Sequence, residues 1–386
     1  MKRQMLKVLA DIQTGPFGSQ LHKEDYVEIG TPIVTVEHLG KRIFSEQNLP
    51  KVSKVDKERL IKYTLSEGDI VFSRVGSVDR CSYVDKEHDG WMFSGRCLRV
   101  RPSSELNPLF LYYYFCLEET KKFVRNIAVG ATMPSINTKL LGEVEIACPD
   151  INTQDRIASI LSAIDTKIEV NEKINDNLQQ QAAALFSSLY DRSNTEVRFT
   201  DLIQILGGGT PKTGENTYWN GNIAFFTPKD VGIPYTLITE KTISKEGLSH
   251  CNSRLYPVNT VFVTARGTVG KVGMSGVPMA MNQSCYALVG KETHQLLVYF
   301  YTLKAVDRLK HKASGAVFDA ITTRDFESEQ IMKLSDDDAT AFLRVAEPMF
   351  QEVLNNNIEN LRLSTLRDSL LPKLMSGEID VSAVQL

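Results

Sequence analysis

The sequence predicts an α+β fold in which two similar modules of mixed strands and helices are separated by two long antiparallel coiled-coil helices. Three observations predict it. Two long segments carry apolar residues at helical spacing, these segments match each other at a constant offset, and strand-like segments recur in the same order before each of them. In a chain of 386 residues, such a pattern is typical of a tandem duplication with a pseudo-twofold internal repeat.

The first long helix is predicted from about residue 153 to residue 190, where no Gly or Pro interrupts the chain. Apolar residues follow a 3-4 spacing that keeps one narrow seam on one face, and a narrow seam requires a second helix against it. Its helix cap is expected at Asn152 or Thr153. The predicted seam positions are Ile157, Leu161, Ile164, Ile168, Asn171, Asn175, Leu178 and Leu185.

The second long helix is predicted from about residue 338 to residue 375, with Pro348 expected to kink it or to mark its start. Each helix is about 37 residues and roughly 55 Å long at 1.5 Å per residue. Arg367 interrupts the seam. The predicted seam positions are Met349, Val353, Asn356, Asn360, Leu363 and Leu370.

Asparagines lie at matching places in the middle of both seams, because Asn171 and Asn175 stand 185 positions before Asn356 and Asn360. A polar group in an apolar seam costs stability unless it has a partner, and a partnered one fixes the helix register. The sequence therefore predicts a register lock, with a seam that opens to solvent as the alternative.

The repeat divides the chain into a first module at residues 1–150, the central helix at 151–190, a second module at 196–335 and the C-terminal helix at 336–376. Residues 191–200 are polar and are expected to be a linker. Runs rich in β-branched residues predict strands, and a helix is predicted over 108–123 with Asn107 as its cap.

Composition limits the class of protein. The chain is 42% hydrophobic and 24% charged with a net charge of -3, values that suit a globular protein and give no support by themselves to nucleic-acid binding. No apolar run reaches about 18 residues, so no membrane span is expected. The cysteines and histidines show no metal-ligand spacing, so we expect free thiols, a cytoplasmic protein, no metal site and no catalytic residue.

Two short motifs resemble catalytic or nucleotide-binding signatures. Asn107 begins an Asn-Pro-Leu-Phe stretch like the NPP[FY] loop of amino-methyltransferases, but the second Pro is missing, which favours a helix cap. The stretch from Gly209 to Gly214 has the glycine spacing of a phosphate-binding loop, but Glu215 and Asn216 stand where Lys and Ser or Thr are required. A tight turn, or a loop that lets backbone amides approach a phosphate, is the preferred interpretation.

Basic residues in loops are the candidates for contact with DNA. Arg74 and Arg266 each follow a strand beside a Gly and are interpreted as a repeated pair, which either holds the turn or contacts phosphate. If the modules read different bases, residues shared by both modules should position the DNA backbone or hold the fold, so base contacts are expected where the modules diverge. For any single further candidate, solvated surface charge is the preferred interpretation. These candidates are Lys41, Arg42, Arg80, Lys241, Asn252, Arg254 and Lys271.

The chain resembles the specificity (S) subunits of Type I restriction-modification systems over nearly its whole length. The resemblance is carried by Thr31-Pro32-Ile33, by the Val71–Gly76 segment, by Gln154-Asp155-Arg156-Ile157 and by their repeats after Gly207. The ending from Leu370 to Ile379, LLPKLMSGEI, is its most specific part.

The resemblance implies two target-recognition domains that each read half of a bipartite double-stranded DNA site. It also implies paired helices that dock two methylation subunits and, where a nuclease is present, restriction subunits. It implies no cofactor in this chain, with S-adenosylmethionine on the methylation subunit. DNA rises about 34 Å per turn, so we expect helix length to set the spacer. The alternatives are a coiled-coil scaffold with two protein-binding modules and a self-contained DNA methyltransferase.

Overall fold

The computed structural model describes residues 2–16, 18, 20–232, 234–312 and 320–382. The chain forms two compact units. The first unit combines Met1–Ile168 with Arg362–Leu386, and the second unit is the continuous stretch Glu169–Leu361. Each unit therefore contains one module and one half of each long helix.

The first module and the central helix are built from elements that alternate between short strands and short helices. The strands are β1 Lys2–Met5, β2 Ala10–Thr14, β3 Tyr26–Val27, β4 Thr31–Val34, β5 Lys51–Val52, β6 Ile70–Ser73, β7 Cys81–Tyr83, β8 Met92–Phe93, β9 Cys97–Pro102 and β10 Glu145–Cys148. The helices are α1 Leu6–Leu9, α2 Lys54–Arg59, α3 Pro108–Cys116, α4 Glu118–Ile127, α5 Thr138–Gly142 and α6 Ile151–Asp191.

The second module and the C-terminal helix repeat this order. The strands are β11 Thr195–Arg198, β12 Ile203–Gly207, β13 Trp219–Phe226, β14 Tyr235–Thr236, β15 Lys241–Ile243, β16 Val261–Thr264, β17 Val272–Ser275, β18 Met279–Met281, β19 Cys285–Gly290 and β20 Gln330–Lys333. The helices are α7 Phe199–Leu202, α8 Lys245–Ser249, α9 Gln295–Lys312, α10 Thr323–Ser328 and α11 Asp336–Ser376.

Strand topology confirms the internal repeat. One sheet of the first module has the order β2-β9-β6-β7, and the second module has the same order in β12-β19-β16-β17 with β14 added at the edge. A parallel pair, β4 with β8, recurs as β13 with β18. The antiparallel pair β1 with β10 recurs as β11 with β20. The two modules are thus versions of one fold.

The central strand of each module lies between two cores. In β6, Ile70 and Phe72 pack into one core and Val71 packs into the other. In β16, Phe262 likewise faces a different core from its neighbours Val261 and Val263. Successive side chains of a strand point to opposite faces, so a continuous apolar run is the sequence signature of a strand that is covered on both sides.

Two local expectations from the sequence are wrong, and one of the two alternatives for Pro348 is excluded. Residues 191–200 are not simply a linker, because Thr195–Arg198 forms β11 and pairs with β20. The helix expected over 108–123 is interrupted at Leu117, whose extended backbone (ψ 132°) ends α3 before α4 starts. Helix α11 begins at Asp336 and continues through Pro348 to Ser376, so Pro348 does not mark its start.

The cap of the central helix also differs from the expectation. The carboxylate of Asp150 accepts the Thr153 backbone N–H at 3.1 Å and the Thr153 hydroxyl at 2.7 Å, so Asp150 caps the helix in place of Asn152 or Thr153. These hydrogen bonds lower the pKa of Asp150. At the far end of α11, Gly377 takes the left-handed conformation (φ 78°) that terminates a helix.

The two long helices pack antiparallel within each unit. In the first unit Ile157 and Leu161 of α6 share a core with Leu371 and Leu374 of α11. In the second unit Phe186 of α6 contacts Phe342 of α11, with ring centroids 5.5 Å apart. All fourteen seam positions named from the sequence are buried or half-buried. The fully buried ones are Ile157, Leu161, Asn171, Asn175, Val353 and Asn356.

The asparagines form a hydrogen-bonded layer in the second unit. Asn356 Nδ2 donates to Asn175 Oδ1 at 2.9 Å, and Asn175 Nδ2 donates to Asn357 Oδ1 at 2.9 Å. Asn171 Nδ2 donates to Glu359 and to Asn360, at 2.7 and 2.8 Å. The seam does not open to solvent here, because Asn171 is only 1% exposed. The layer supplies the partners that a register lock requires.

Arg367, the residue that interrupts the seam pattern, belongs to a second polar layer in the first unit. Its guanidinium donates to Asp165 at 2.7 Å, and the Tyr113 hydroxyl donates to the other oxygen of Asp165 at 2.7 Å. Burial lowers the pKa of Arg367, but the hydrogen bonds and negative charges of Asp165 and Asp368 together outweigh it, so the pKa is raised overall. At the corresponding positions of the second unit stand the buried Phe350, Ala182 and Phe300.

Candidate nucleic-acid interface

In the first module, Lys41, Arg42 and Arg80 meet at one loop. The Arg80 guanidinium donates to the Leu39 carbonyl and lies only 2.7 Å from the point that a Cβ on Gly40 would occupy. Gly40 also has a φ of 118°, a conformation that favours glycine there.

The loop that carries Lys41 and Arg42 is tied to strand β7. Ser82 Oγ donates to the Lys41 carbonyl at 2.7 Å, and the Tyr83 N–H donates to the Arg42 carbonyl at 2.7 Å. The Arg42 guanidinium donates to Thr166 of α6 at 3.1 Å. Arg42 therefore anchors its loop to α6, whereas the side chain of Lys41 is exposed.

The hairpin turns of the two modules correct the pairing of Arg74 with Arg266. Arg74 N–H donates to the Arg96 carbonyl at 2.8 Å, and Ala265 N–H donates to the Ser284 carbonyl at 2.8 Å. The Arg74 carbonyl accepts the Ile136 N–H and the Ala265 carbonyl accepts the Ile321 N–H, both at 2.9 Å. An isolated bridge joins Val75 to Ser135, and the equivalent bridge joins Arg266 to Ala320.

Arg266 therefore corresponds to Val75, and Arg74 corresponds to Ala265. The register predicted from the sequence was wrong by one residue, so the two arginines are not a repeated pair. Arg74 donates to the Gly95 carbonyl at 3.1 Å, whereas Arg266 is exposed.

A different basic pair is repeated at the end of the same turns. Ser73 N–H donates to the Arg80 carbonyl at 2.9 Å, and Thr264 N–H donates to the Lys271 carbonyl at 3.0 Å. Arg80 and Lys271 thus occupy one structural position, and both are exposed. The sequence predicted Arg80 and Lys271 in divergent loops, because the one-residue error in register concealed their equivalence.

The other candidates of the second module lie on separate elements. The Lys241 ammonium lies 5.7 Å from the centroid of the Trp219 ring, within the range of a cation–π contact. Asn252 packs its backbone against Gly209, where a Cβ would come within 2.7 Å of the Asn252 nitrogen. Burial raises the pKa of Tyr256 and nearby Arg254 opposes that shift, so Arg254 adds positive charge beside that hydroxyl.

The glycine-rich stretch that follows β12 allows two backbone segments to pack closely. A Cβ on Gly208 would lie 2.2 Å from the Asn282 carbonyl oxygen, and a Cβ on Gly15 would lie 2.1 Å from the Ser94 carbonyl oxygen. These glycines follow β12 and β2, which pair with β19 and β9 in matching register. Both modules therefore need glycine here for close backbone approach.

Asn107 likewise has a structural role. Its Oδ1 accepts the Phe110 N–H at 2.9 Å, and its Nδ2 donates to Asp155 at 2.7 Å. Asn107 is thus the cap of α3, as the sequence predicted, and these contacts tie α3 to the start of α6.

The basic run at the end of α9 is largely compensated. The carboxylate of Glu329, which is fully buried, forms ion pairs with Arg308 at 3.1 Å and with Lys312. His311 lies 3.7 Å from Asp307. Lys310 faces elsewhere and lies over Gly270. Most of this run therefore stabilises the fold.

Two matched cysteines are buried thiols. Burial raises the pKa of Cys97 and of Cys285 to about 12, so both remain protonated at neutral pH and neither is a ready nucleophile. Within the described residues, no cluster of His, Cys, Asp or Glu is arranged to hold a metal ion, and no helix has the length and apolar character needed to cross a membrane.

Comparisons with known proteins place this geometry in a family. The family model described as the Type I restriction modification DNA specificity domain matches residues 5–180 and 192–333. The Type I restriction enzyme HindI specificity subunit of Haemophilus influenzae is 24% identical, over 82% of this chain and 88% of its own length. The MjaIX specificity subunit of Methanocaldococcus jannaschii is 23% identical, over 70% of this chain and 69% of its own length.

A solved structure shares the fold. The crystal structure of the Type I restriction-modification system S subunit from M. genitalium superposes with a TM-score of 0.63 at 17% identity, and covers 97% of this chain and 95% of that one. The family model separately covers most of this chain in two segments, one for each module. The chain therefore belongs to the Type I restriction modification DNA specificity family.

Proposed function

We propose that this chain recognises a bipartite site on double-stranded DNA, and that each module reads one half of the site. The observation that carries the proposal is the double match to a DNA specificity domain, at residues 5–180 and 192–333, on two modules of the same strand topology. Two copies of one frame suit the twofold symmetry of a DNA backbone, and unlike loops permit unlike half-sites.

The loops differ in chemistry at equivalent positions. Arg74 stands where the second module has Ala265, and Asp79 stands where it has Gly270. These substitutions change charge while the backbone hydrogen bonds of the turn are kept. A shared frame with different side chains is what an asymmetric target sequence requires.

The chain acts with partner subunits. We propose that it carries no catalytic group, that methylation subunits hold S-adenosylmethionine, and that the assembly works in the cytoplasm. Purified chain incubated with S-adenosylmethionine and DNA should transfer no methyl group and cut no DNA. Activity of the chain alone would contradict this, and would favour the self-contained methyltransferase.

The outer face of α6 offers a docking surface for a methylation subunit. Val170 and Ile174 are 44% and 41% exposed, one helical turn apart, and the polar residues expected to join them from the sequence are Lys167, Glu169, Glu172, Lys173, Gln179 and Gln180. Exposed apolar pairs on a helix are typical of an interface centre. Val170→Asp with Ile174→Asp should abolish copurification of the methylation subunit, whereas Asp176→Ala, on the same helix, should not.

Two measurements test DNA recognition. Sequencing of native modified bases in the host, with and without this chain, should reveal one bipartite motif that depends on it. The affinity of the purified chain for duplex DNA should fall steeply with salt, because phosphate contacts release counterions. A flat salt dependence would instead support the coiled-coil scaffold with two protein-binding modules.

A further inference from the structure

Two lysines without compensating charge lie at the hairpin turn between β16 and β17. Lys271 ends the turn and Lys310 of α9 lies over it, both exposed. No ion pair or side-chain hydrogen bond joins either ammonium to another residue within the ranges that the structure describes.

Gly270 brings the two lysines together. A Cβ built on Gly270 would lie 2.5 Å from Lys310 Cε and 3.3 Å from Lys310 Nζ. Gly270 also has a φ of 74°. Because Gly270 has no side chain, Lys310 can occupy the space beside it. Lys271 follows Gly270 directly in sequence.

The first module closes the same place with an ion pair. Asp79 corresponds to Gly270 and Arg125 corresponds to Lys310 in the repeat. Arg125 donates to Asp79 at 2.5 Å and also pairs with Glu118. One module thus neutralises its helix-end cation, and the other leaves it available.

We propose, on the basis of the proposed DNA-binding function, that Lys271 and Lys310 form a phosphate-binding pair that the second module has and the first lacks. Two exposed ammonium groups without a carboxylate partner, one at the end of the turn and one over it, suit the closely spaced charges of a DNA backbone. The two modules then contribute unequally to the electrostatic part of DNA affinity.

The test uses the full-length chain and a duplex of about 30 base pairs of arbitrary sequence, because phosphate contacts do not depend on sequence. Fluorescence anisotropy gives the dissociation constant across about 50 to 200 mM KCl. Lys271→Ala with Lys310→Ala should reduce the slope of log affinity against log salt by about 1.8, at ~0.9 per contact. At about 0.1 M salt each single variant should bind ~8-fold more weakly.

Matched variants separate this effect from a general change of charge. Lys304→Ala also removes one positive charge from α9. The Lys304 ammonium lies 5.2 Å from the Tyr190 ring centroid, away from the turn, so the salt slope of this variant should equal that of the unmodified chain. Arg125→Ala should also leave the slope unchanged, because Asp79 already neutralises it. Lys310→Arg should keep the affinity of the unmodified chain, and Asp79→Gly with Glu118→Gln should strengthen DNA binding by releasing Arg125 from both of its carboxylate partners.

The outcomes are distinguishable. If the double variant keeps its fold by circular dichroism and has the same slope as Lys304→Ala, the phosphate pair is refuted while DNA binding stands. If the unmodified chain itself shows no salt-dependent binding, the proposed function fails as well.

Discussion

The polar layer of the first unit can be replaced by the apolar layer that the second unit already contains. Tyr113, Asp165 and Arg367 are joined by two hydrogen bonds of 2.7 Å. We consider two changes: Asp165→Ala alone, and the triple change Tyr113→Phe, Asp165→Phe and Arg367→Ala. The triple change introduces the residues found at positions 300, 350 and 182.

The structure sets the expected magnitudes. Asp165 is 5% exposed, so its removal leaves the buried Tyr113 hydroxyl without its partner and leaves the Arg367 guanidinium paired, among the described residues, only with Asp368. Breaking a buried pair costs about 3–5 kcal/mol. The Arg367 side chain is 30% exposed and regains some hydration, so we expect the lower end of that range. Replacement of the whole set by packed apolar groups should be neutral, or stabilising by ~1–4 kcal/mol.

The assay can report on the first unit alone. The sequence has two tryptophans, Trp91 in the first unit and Trp219 in the second. In a Trp219→Phe background, urea unfolding followed by fluorescence reports on Trp91, which packs 4.5 Å from the His88 ring. The shift of the midpoint at constant slope then gives the change in stability. A triple variant as unstable as Asp165→Ala, or an Asp165→Ala loss below about 1 kcal/mol, would refute this reasoning.

Two further predictions concern the long helices. Asn175→Leu or Asn356→Leu alone should lower the free energy of unfolding by ~1–3 kcal/mol, because each leaves a buried amide unpaired. The double variant should recover part of this loss, measured in urea unfolding as a coupling energy of ~0.5–3 kcal/mol. Additive losses would show that the two asparagines are not coupled. Insertion of one heptad into both α6 and α11 should change the tolerated spacer in a DNA-binding selection and leave the half-site sequences unchanged, whereas an unchanged spacer would contradict the hypothesis that helix length sets it.

The long helices and the repeat could be predicted because burial of one helix face imposes a regular spacing of apolar residues. That spacing can be recognised without knowing which distant residues make contact. The alignment of Arg74 with its counterpart in the second module could not be predicted, because a one-residue slip in a turn leaves the local pattern of Gly and Val almost unchanged. The bridges of Val75 to Ser135 and of Arg266 to Ala320 settle the register. The cap at Asp150 was missed because neighbouring polar residues compete for that role.

Other features depend on partners far away in the sequence. Arg367 looked like a defect in the seam until Asp165 and Tyr113 supplied its hydrogen bonds. In the basic run at the end of α9, the distant Glu329 neutralises Arg308 and Lys312. Pattern analysis identifies elements well, whereas charge compensation can be read only from the folded chain.

The composition of the first unit has a consequence for synthesis on the ribosome. The core around β6 is completed by Leu371, Leu374, Met375 and Val381, which are translated long after the strands that they cover. The second unit is continuous in sequence and can finish folding earlier. The half of the protein that is made first is therefore the half that matures last, and a premature stop after residue 361 would expose it selectively to aggregation and proteolysis.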